Sequence, residues 1–323
     1  MIVDGLQYGF LGREAFAGLR AGGVGCITAT LGFWEGAVEA LDAVARWRDF
    51  ARVFTDVFAL ARSGGEVRAI AGSGRVAVLP GFQNASIFEG RIRFVELFAE
   101  LGVRVVQLTY NNQNELGGSC YEAADAGLSR FGREVVREMN RTGILIDLSH
   151  VGERTSLDVL RQSERPVAVT HANAASFVAH PRNKSDALLK ALAAAGGVIG
   201  CAAHRHLAGE RAAASLEAWC EMVKRTVEIA GIDHVGIGTA RGHNSSPGEL
   251  DWMRMGRWTR NLDYGAGSAA KPGLQPPADW LRELREFAAL PEALGRAGFT
   301  AAEVDKLTHG NWLRLYDAVF ASR

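Results

Sequence analysis

The chain has 323 residues, 48% hydrophobic and 22% charged, an ordinary globular composition that excludes disorder over most of its length. Its 36 Lys and Arg balance 36 Asp and Glu, so no global field selects nucleic acid or an anionic membrane as partner. No apolar run reaches the roughly 20 residues of a membrane-spanning helix, and Asp4 stands where a signal peptide would carry basic residues, so a cytoplasmic protein is expected.

Taken in chain order, eight short β-branched apolar runs alternate with longer amphipathic stretches. The runs cover 2–3, 24–30, 76–79, 103–108, 144–148, 167–169, 198–201 and 235–238. Between them lie helical patterns such as 131–140, where Phe131, Val135, Val136 and Met139 fall on one face, and 216–229. Near-continuous apolar strands separated by helices call for a parallel sheet covered on its outer face. Eight such units predict a (β/α)8 TIM barrel forming a single domain over 1–323, with an open doubly wound sheet as the alternative. Gly22-Gly23, Gly102, Gly143 and Gly196-Gly197 sit at the predicted helix-to-strand joins. The stretch 242–277, rich in Gly, Pro, Ser and Asn, follows the eighth strand and is expected to form a lid or insertion over the barrel mouth. Cys26, Cys120, Cys201 and Cys220 are far apart with no CxxC, so no disulfide framework is expected.

Chemistry on such a barrel is built from the carboxyl ends of the strands. Here those ends carry Leu6, Gln7 and Tyr8; Gln83 and Asn84; Tyr110, Asn111 and Asn112; His150; His171; His204 and His206; and Ala240, Arg241 and His243. Histidines closing adjacent strands can converge on one point, as ligands of a zinc-type ion or as hydrogen-bonding groups without metal. His204 and His206 form an i,i+2 pair whose rings share a side if the chain is extended there. His180, His234 and His309 lie away from the predicted strand ends and read as structural.

Several segments in order resemble the membrane (renal) dipeptidases, zinc-dependent hydrolases on an amidohydrolase-like barrel. They are Asp4-Gly5; Leu128-Ser129-Arg130-Phe131-Gly132-Arg133-Glu134 with Glu138-Met139-Asn140-Arg141; Asp147-Leu148-Ser149-His150; Thr170-His171; His180-Pro181-Arg182-Asn183; His234-Val235-Gly236-Ile237-Gly238; and Gly310-Asn311-Trp312-Leu313-Arg314. Gly81-Phe82-Gln83-Asn84 is similar to a bacterial, amidohydrolase-like branch. The resemblance implies that His150 and His171 are metal ligands, that Arg182 grips a substrate carboxylate and that the protein is a homodimer. Where the family has an HxD pair on the first strand, this chain has Leu6 and Tyr8; its bridging glutamate is replaced by Gln83, its oxyanion-binding histidine by Tyr110, and its proton-accepting aspartate by Ala240.

These departures leave three readings open. The first is a dipeptidase-like hydrolase of a small dipeptide or N-acyl amino acid, with at most one zinc and a substitute base drawn from His204, His206 or His243 at an ordinary pKa near 6.5. The second is a repurposed, metal-free enzyme using histidines and Tyr110 for acid–base chemistry on a small carboxylate, with Gln83, Asn84 and Asn112 as further contacts. The third is a catalytically inert binding protein.

Overall fold

Ten strands, all paired in parallel, occur in the computed structural model, which describes residues 1–260 and 276–320. They are β1 (Ile2–Gly9), β2 (Val24–Thr30), β3 (Phe58–Leu60), β4 (Val76–Phe82), β5 (Val105–Gln107), β6 (Leu145–Asp147), β7 (Ala168–Ala172), β8 (Val198–Cys201), β9 (Val235–Ile237) and β10 (Arg241–His243). Pairing runs β1-β2-β4-β5-β6-β7-β8-β9 and returns to β1 through Asp4 opposite Ile237, closing an eight-stranded barrel. These eight strands coincide with the eight apolar runs. The (β/α)8 expectation holds, and the open sheet is set aside by the closure.

Two strands lie outside the expectation. β3 is a three-residue run beside the lower half of β4, with Phe58 opposite Val76. β10 reads Arg-Gly-His, has no apolar pattern, and pairs with the upper end of β1 from Gln7 to Gly9.

Alternation along the strands separates two cores. Ile27, Val78, Val106, Ile146 and Ile199 face outward against the helices. Their neighbours Cys26, Leu79, Val105, Leu145 and Val198 face inward. The floor of the barrel is filled from the C-terminal helix Asn311–Phe320, whose Trp312 and Tyr316 are fully buried in the inner core. Trp312 enters because three strands present glycine to it. A Cβ on Gly5 would lie 2.6 Å from the indole, on Gly236 2.5 Å and on Gly200 3.0 Å. Its Nε1 donates to the Ile237 carbonyl at 2.9 Å, so the buried indole nitrogen is satisfied.

The helix Arg130–Thr142 starts at Ser129, whose hydroxyl accepts from Gly132 N, and stops at Gly143 in the left-handed region, φ 72°. It buries Val135, Val136 and Met139, the face its spacing predicts. After β10, a helix over Pro247–Met255 opens with a Ser246/Glu249 capping box. Trp252 Nε1 donates to Glu35 at 2.6 Å and Trp34 Nε1 to the Met253 carbonyl at 3.2 Å, docking this helix onto the loop after β2. The remainder of the expected lid, 261–275, lies outside the described residues.

Candidate active site at the mouth of the barrel

At the carboxyl ends of the strands opens a cavity with about 660 Å³ between its walls, part of it open to solvent. His150 and His171 stand at its floor, held by a network that starts at Asp147, the last residue of β6. This buried carboxylate accepts from Ser149 N at 3.0 Å, Ser149 Oγ at 2.6 Å, Thr170 N at 2.9 Å and Thr170 Oγ1 at 2.7 Å. Because Thr170 gives its only proton to Asp147, its oxygen can only accept from His171 Nδ1, 2.8 Å away. His150 Nδ1 likewise donates to Asn111 Oδ1 at 2.7 Å. Both rings therefore carry their proton on Nδ1. Their Nε2 lone pairs face each other across 3.2 Å. Burial, followed by the charge of Arg182, holds both imidazoles well below their ordinary pKa and therefore neutral.

Arg182 is buried beside this pair. Its guanidinium donates to the Ser149 carbonyl and, at 3.0 Å, to the His171 carbonyl, which aims the group from two adjacent strand ends. Among the described residues no Asp or Glu lines the cavity, and the guanidinium there is met by carbonyls rather than a carboxylate. The Tyr110 ring lies 4.4 Å from that of His150 and packs edge-on against Trp34; burial raises its phenol, which stays a hydrogen-bond donor. Gln83 also lines the cavity. Its amide nitrogen is committed to Thr30 at 2.9 Å, which leaves the carbonyl oxygen to offer.

On the opposite wall His180, His204 and His206 form a stack, with centroids 6.3 Å apart for His180–His206 and 5.6 Å for His204–His206. The chain is extended at His204, φ −62° and ψ 126°, but helical from Arg205 onward. His204 is the N-cap of the segment Arg205–Ala214, which is kinked at Gly209, and its ring meets that of His206 across the extended-to-helix junction. His180, read as structural from its position, belongs to the cavity: its Nδ1 accepts from Arg182 N at 3.1 Å. Burial pushes His180 down to about 4 and His204 down to about 3, which corrects the expectation of an ordinary pKa near 6.5 for a substitute base.

His243 is elsewhere. It lines an adjoining cavity, donating Nε2 to Gln7 Oε1 at 2.9 Å, while Gln7 donates to Asp4. Burial takes its pKa down to about 3 as well. Two expected contacts are not on the wall of the first cavity. Asn84 is the N-cap of the short 3-10 helix Ala85–Phe88, accepting from Ser86 N and from Asn114. Asn112 is not among the lining residues, although its neighbour Asn111 is. Among the described residues, no group of three or more His, Cys, Asp or Glu is arranged to hold a metal.

The membrane dipeptidase (peptidase family M19) model matches residues 19–255. Similar proteins include dipeptidase verJ of Clonostachys rogersoniana, 35% identical over 188 residues, covering 58% of this chain and 48% of that protein. Dipeptidase tcpJ of Claviceps purpurea is 33% identical over 190 residues, 58% of this chain and 45% of that one. The chain thus spans about half the length of the curated relatives it matches. Among solved structures, an amidohydrolase from Pseudomonas aeruginosa is 34% identical with a TM-score of 0.92, covering 99% of this chain and 96% of that one. A metallopeptidase from Rhodobacter sphaeroides, liganded with a phosphinate mimic of L-Ala-D-Ala, has the same fold with a TM-score of 0.80 at 19% identity, over 98% of this chain and 99% of that one. With the barrel, the paired strand-end histidines and a match over most of its length, the chain belongs to the membrane dipeptidase family, peptidase family M19.

Proposed function

We propose that this chain hydrolyses a small amide bearing a free carboxylate, a dipeptide or an N-acyl amino acid, and does so with at most one zinc ion. The observation that carries the reading is the juxtaposition of two neutral imidazoles, lone pairs converging, with a buried guanidinium in a cavity that no described carboxylate lines.

The family's zinc pair does not fit these residues. Leu6, Tyr8, Gln83 and Ala240 supply no anionic ligand, and two imidazoles cannot hold two ions. A single ion would draw two ligands from the pair, His150 and His171. Zinc–nitrogen bonds of 2.0–2.1 Å in a tetrahedral shell place two nitrogens about 3.3 Å apart, against 3.2 Å between the Nε2 atoms here. Asn111, and Thr170 backed by Asp147, hold both tautomers in the form a ligand needs. When bound, one zinc supplies Lewis acidity and a water acidic enough to ionise near neutral pH.

The chain's own groups do the rest. Arg182 binds and orients the carboxylate. Tyr110 donates a hydrogen bond towards developing negative charge on the amide oxygen. Leu6, Phe33 and Leu207 exclude bulk water from the cavity. His204, neutral at physiological pH, orients polar substrate groups and is a weak base.

The test is elemental analysis of protein loaded with zinc and desalted, alongside hydrolysis assays on dipeptides and N-acyl amino acids. At most one zinc per chain is expected, lost together with turnover in His171→Ala. Two ions per chain would overturn the single-ion reading, and absence of amide cleavage by the loaded protein would overturn the hydrolase. A second reading, metal-free acid–base chemistry on a small carboxylate, is favoured by the positive charge of Arg182 beside the imidazoles. Turnover that survives chelation and His171→Ala would select it.

A further inference from the structure

A second cavity adjoins the first, and the two share Tyr8, His204 and Ala240 as their common wall. That wall is thin. Ala240 contributes one methyl group on a left-handed backbone, φ 54°. Tyr8 lies flat against Gly242, where a Cβ would stand 2.7 Å from the phenol ring carbon Cζ and 2.8 Å from its oxygen, so only glycine leaves the ring that position. As in the first cavity, no Asp or Glu lines the second among the described residues.

It does have a cation without an ion pair among the described residues, Glu286 acting on it only at longer range. Among the described residues Arg241 donates to the carbonyls of Gly242, at 2.9 Å, and Arg282, at 2.7 Å, and its buried Nε–H has no partner there. The neighbouring Arg205 is by contrast neutralised by Glu210 at 2.8 Å and Asp279 at 3.4 Å. A partly buried guanidinium satisfied only by neutral carbonyls, on a cavity open to a ligand, is an anion receptor. His243, tied through Nε2 to Gln7, also lines this cavity.

We propose that the two cavities form one bipartite site whose substrate carries two carboxylates, one on Arg182 and the second on Arg241: an N-acyl acidic amino acid or a dipeptide with an acidic residue. This rests on the assignment of a carboxylate to Arg182 and deepens it by naming the substrate class.

The test compares binding of N-acetylglutamate and N-acetylglutamine, matched in size and differing by one charge, by calorimetry on the whole chain. N-acetylglutamate is expected to bind at least about tenfold more tightly. Arg241→Gln is expected to bring it down to the affinity of the glutamine compound. Equal affinities in the wild-type protein, or an advantage that survives Arg241→Gln, would overturn the second anchor. If in that case Arg182→Lys still weakens both ligands, the first anchor stands. Binding of neither ligand would overturn both. The wild-type comparison needs no variant, so it decides the question even if Arg241→Gln does not fold.

Discussion

Single protons set the chemistry of this cavity. Asp147 acts on His171 only through Thr170, by taking the hydroxyl proton that would otherwise point at Nδ1. In Asp147→Asn that proton is released, the His171 tautomer inverts, and Nε2 gains a hydrogen where a lone pair stood. The variant is expected to lose about 2–4 kcal/mol of stability from an amide forced among four donors. Zinc affinity should fall roughly 10–100-fold. Nitrogen-15 NMR of the His171 ring reads the tautomer directly; an unchanged spectrum would show that the relay through Thr170 is not operating. His243 makes a second prediction at this scale. Its folded pKa of about 3 lies below the ordinary value near 6.5, so between those limits the unfolded chain binds the extra proton and stability falls as pH falls. His243→Gln, which can still donate to Gln7, should remove up to about 1.4 kcal/mol per pH unit from the acid limb of the stability curve. Denaturant melts at pH 7, 5 and 4 would measure the difference.

The elements succeed or fail by how they fill the barrel. Its inner face is built from small and medium side chains, and the space they leave is taken by Trp312 from the last helix. Trp312→Ala is expected to cost about 3–5 kcal/mol, since the glycines facing it cannot close the void. Gly236→Ala should be destabilising for the opposite reason, with a methyl group 2.5 Å from the indole nitrogen and no room to retreat. Chemical denaturation of both variants checks this, and a loss below about 1 kcal/mol in each would mean the plug is dispensable. The helices lean on ordinary signals: Ser129 opens the Arg130–Thr142 helix, Gly143 closes it, and its apolar stripe meets the sheet. Those signals are local, so they are visible in the sequence. The start of the helix at His204 was not, because no Ser, Thr, Asn or Asp marks it and its cap makes no side-chain hydrogen bond.

Charge is balanced over the chain, whereas at the mouth Arg182 and Arg241 face cavities that no described Asp or Glu lines. Carboxylate ligands should therefore stabilise the fold. At a concentration a hundred times the dissociation constant, stabilisation of about 2.7 kcal/mol is expected, a rise of several degrees in Tm. Arg182→Lys keeps the charge but loses the planar fork held between the Ser149 and His171 carbonyls, and should reduce that shift. A shift of the same size in the variant, measured by differential scanning fluorimetry, would remove Arg182 from the binding site. By itself the sequence determined the barrel, because strand and helix periodicities and glycine joins are local patterns read from neighbours in the chain. It also determined that His150 and His171 stand at adjacent strand ends, and that acidic partners are missing at Leu6, Tyr8, Gln83 and Ala240. Only the tertiary structure decided which nitrogen of each ring is bare, that His180 joins the cavity while Asn84 caps a helix, and that a second cavity begins behind Ala240. Those outcomes depend on hydrogen bonds and contacts between residues tens to hundreds of positions apart, and no spacing along the chain encodes them.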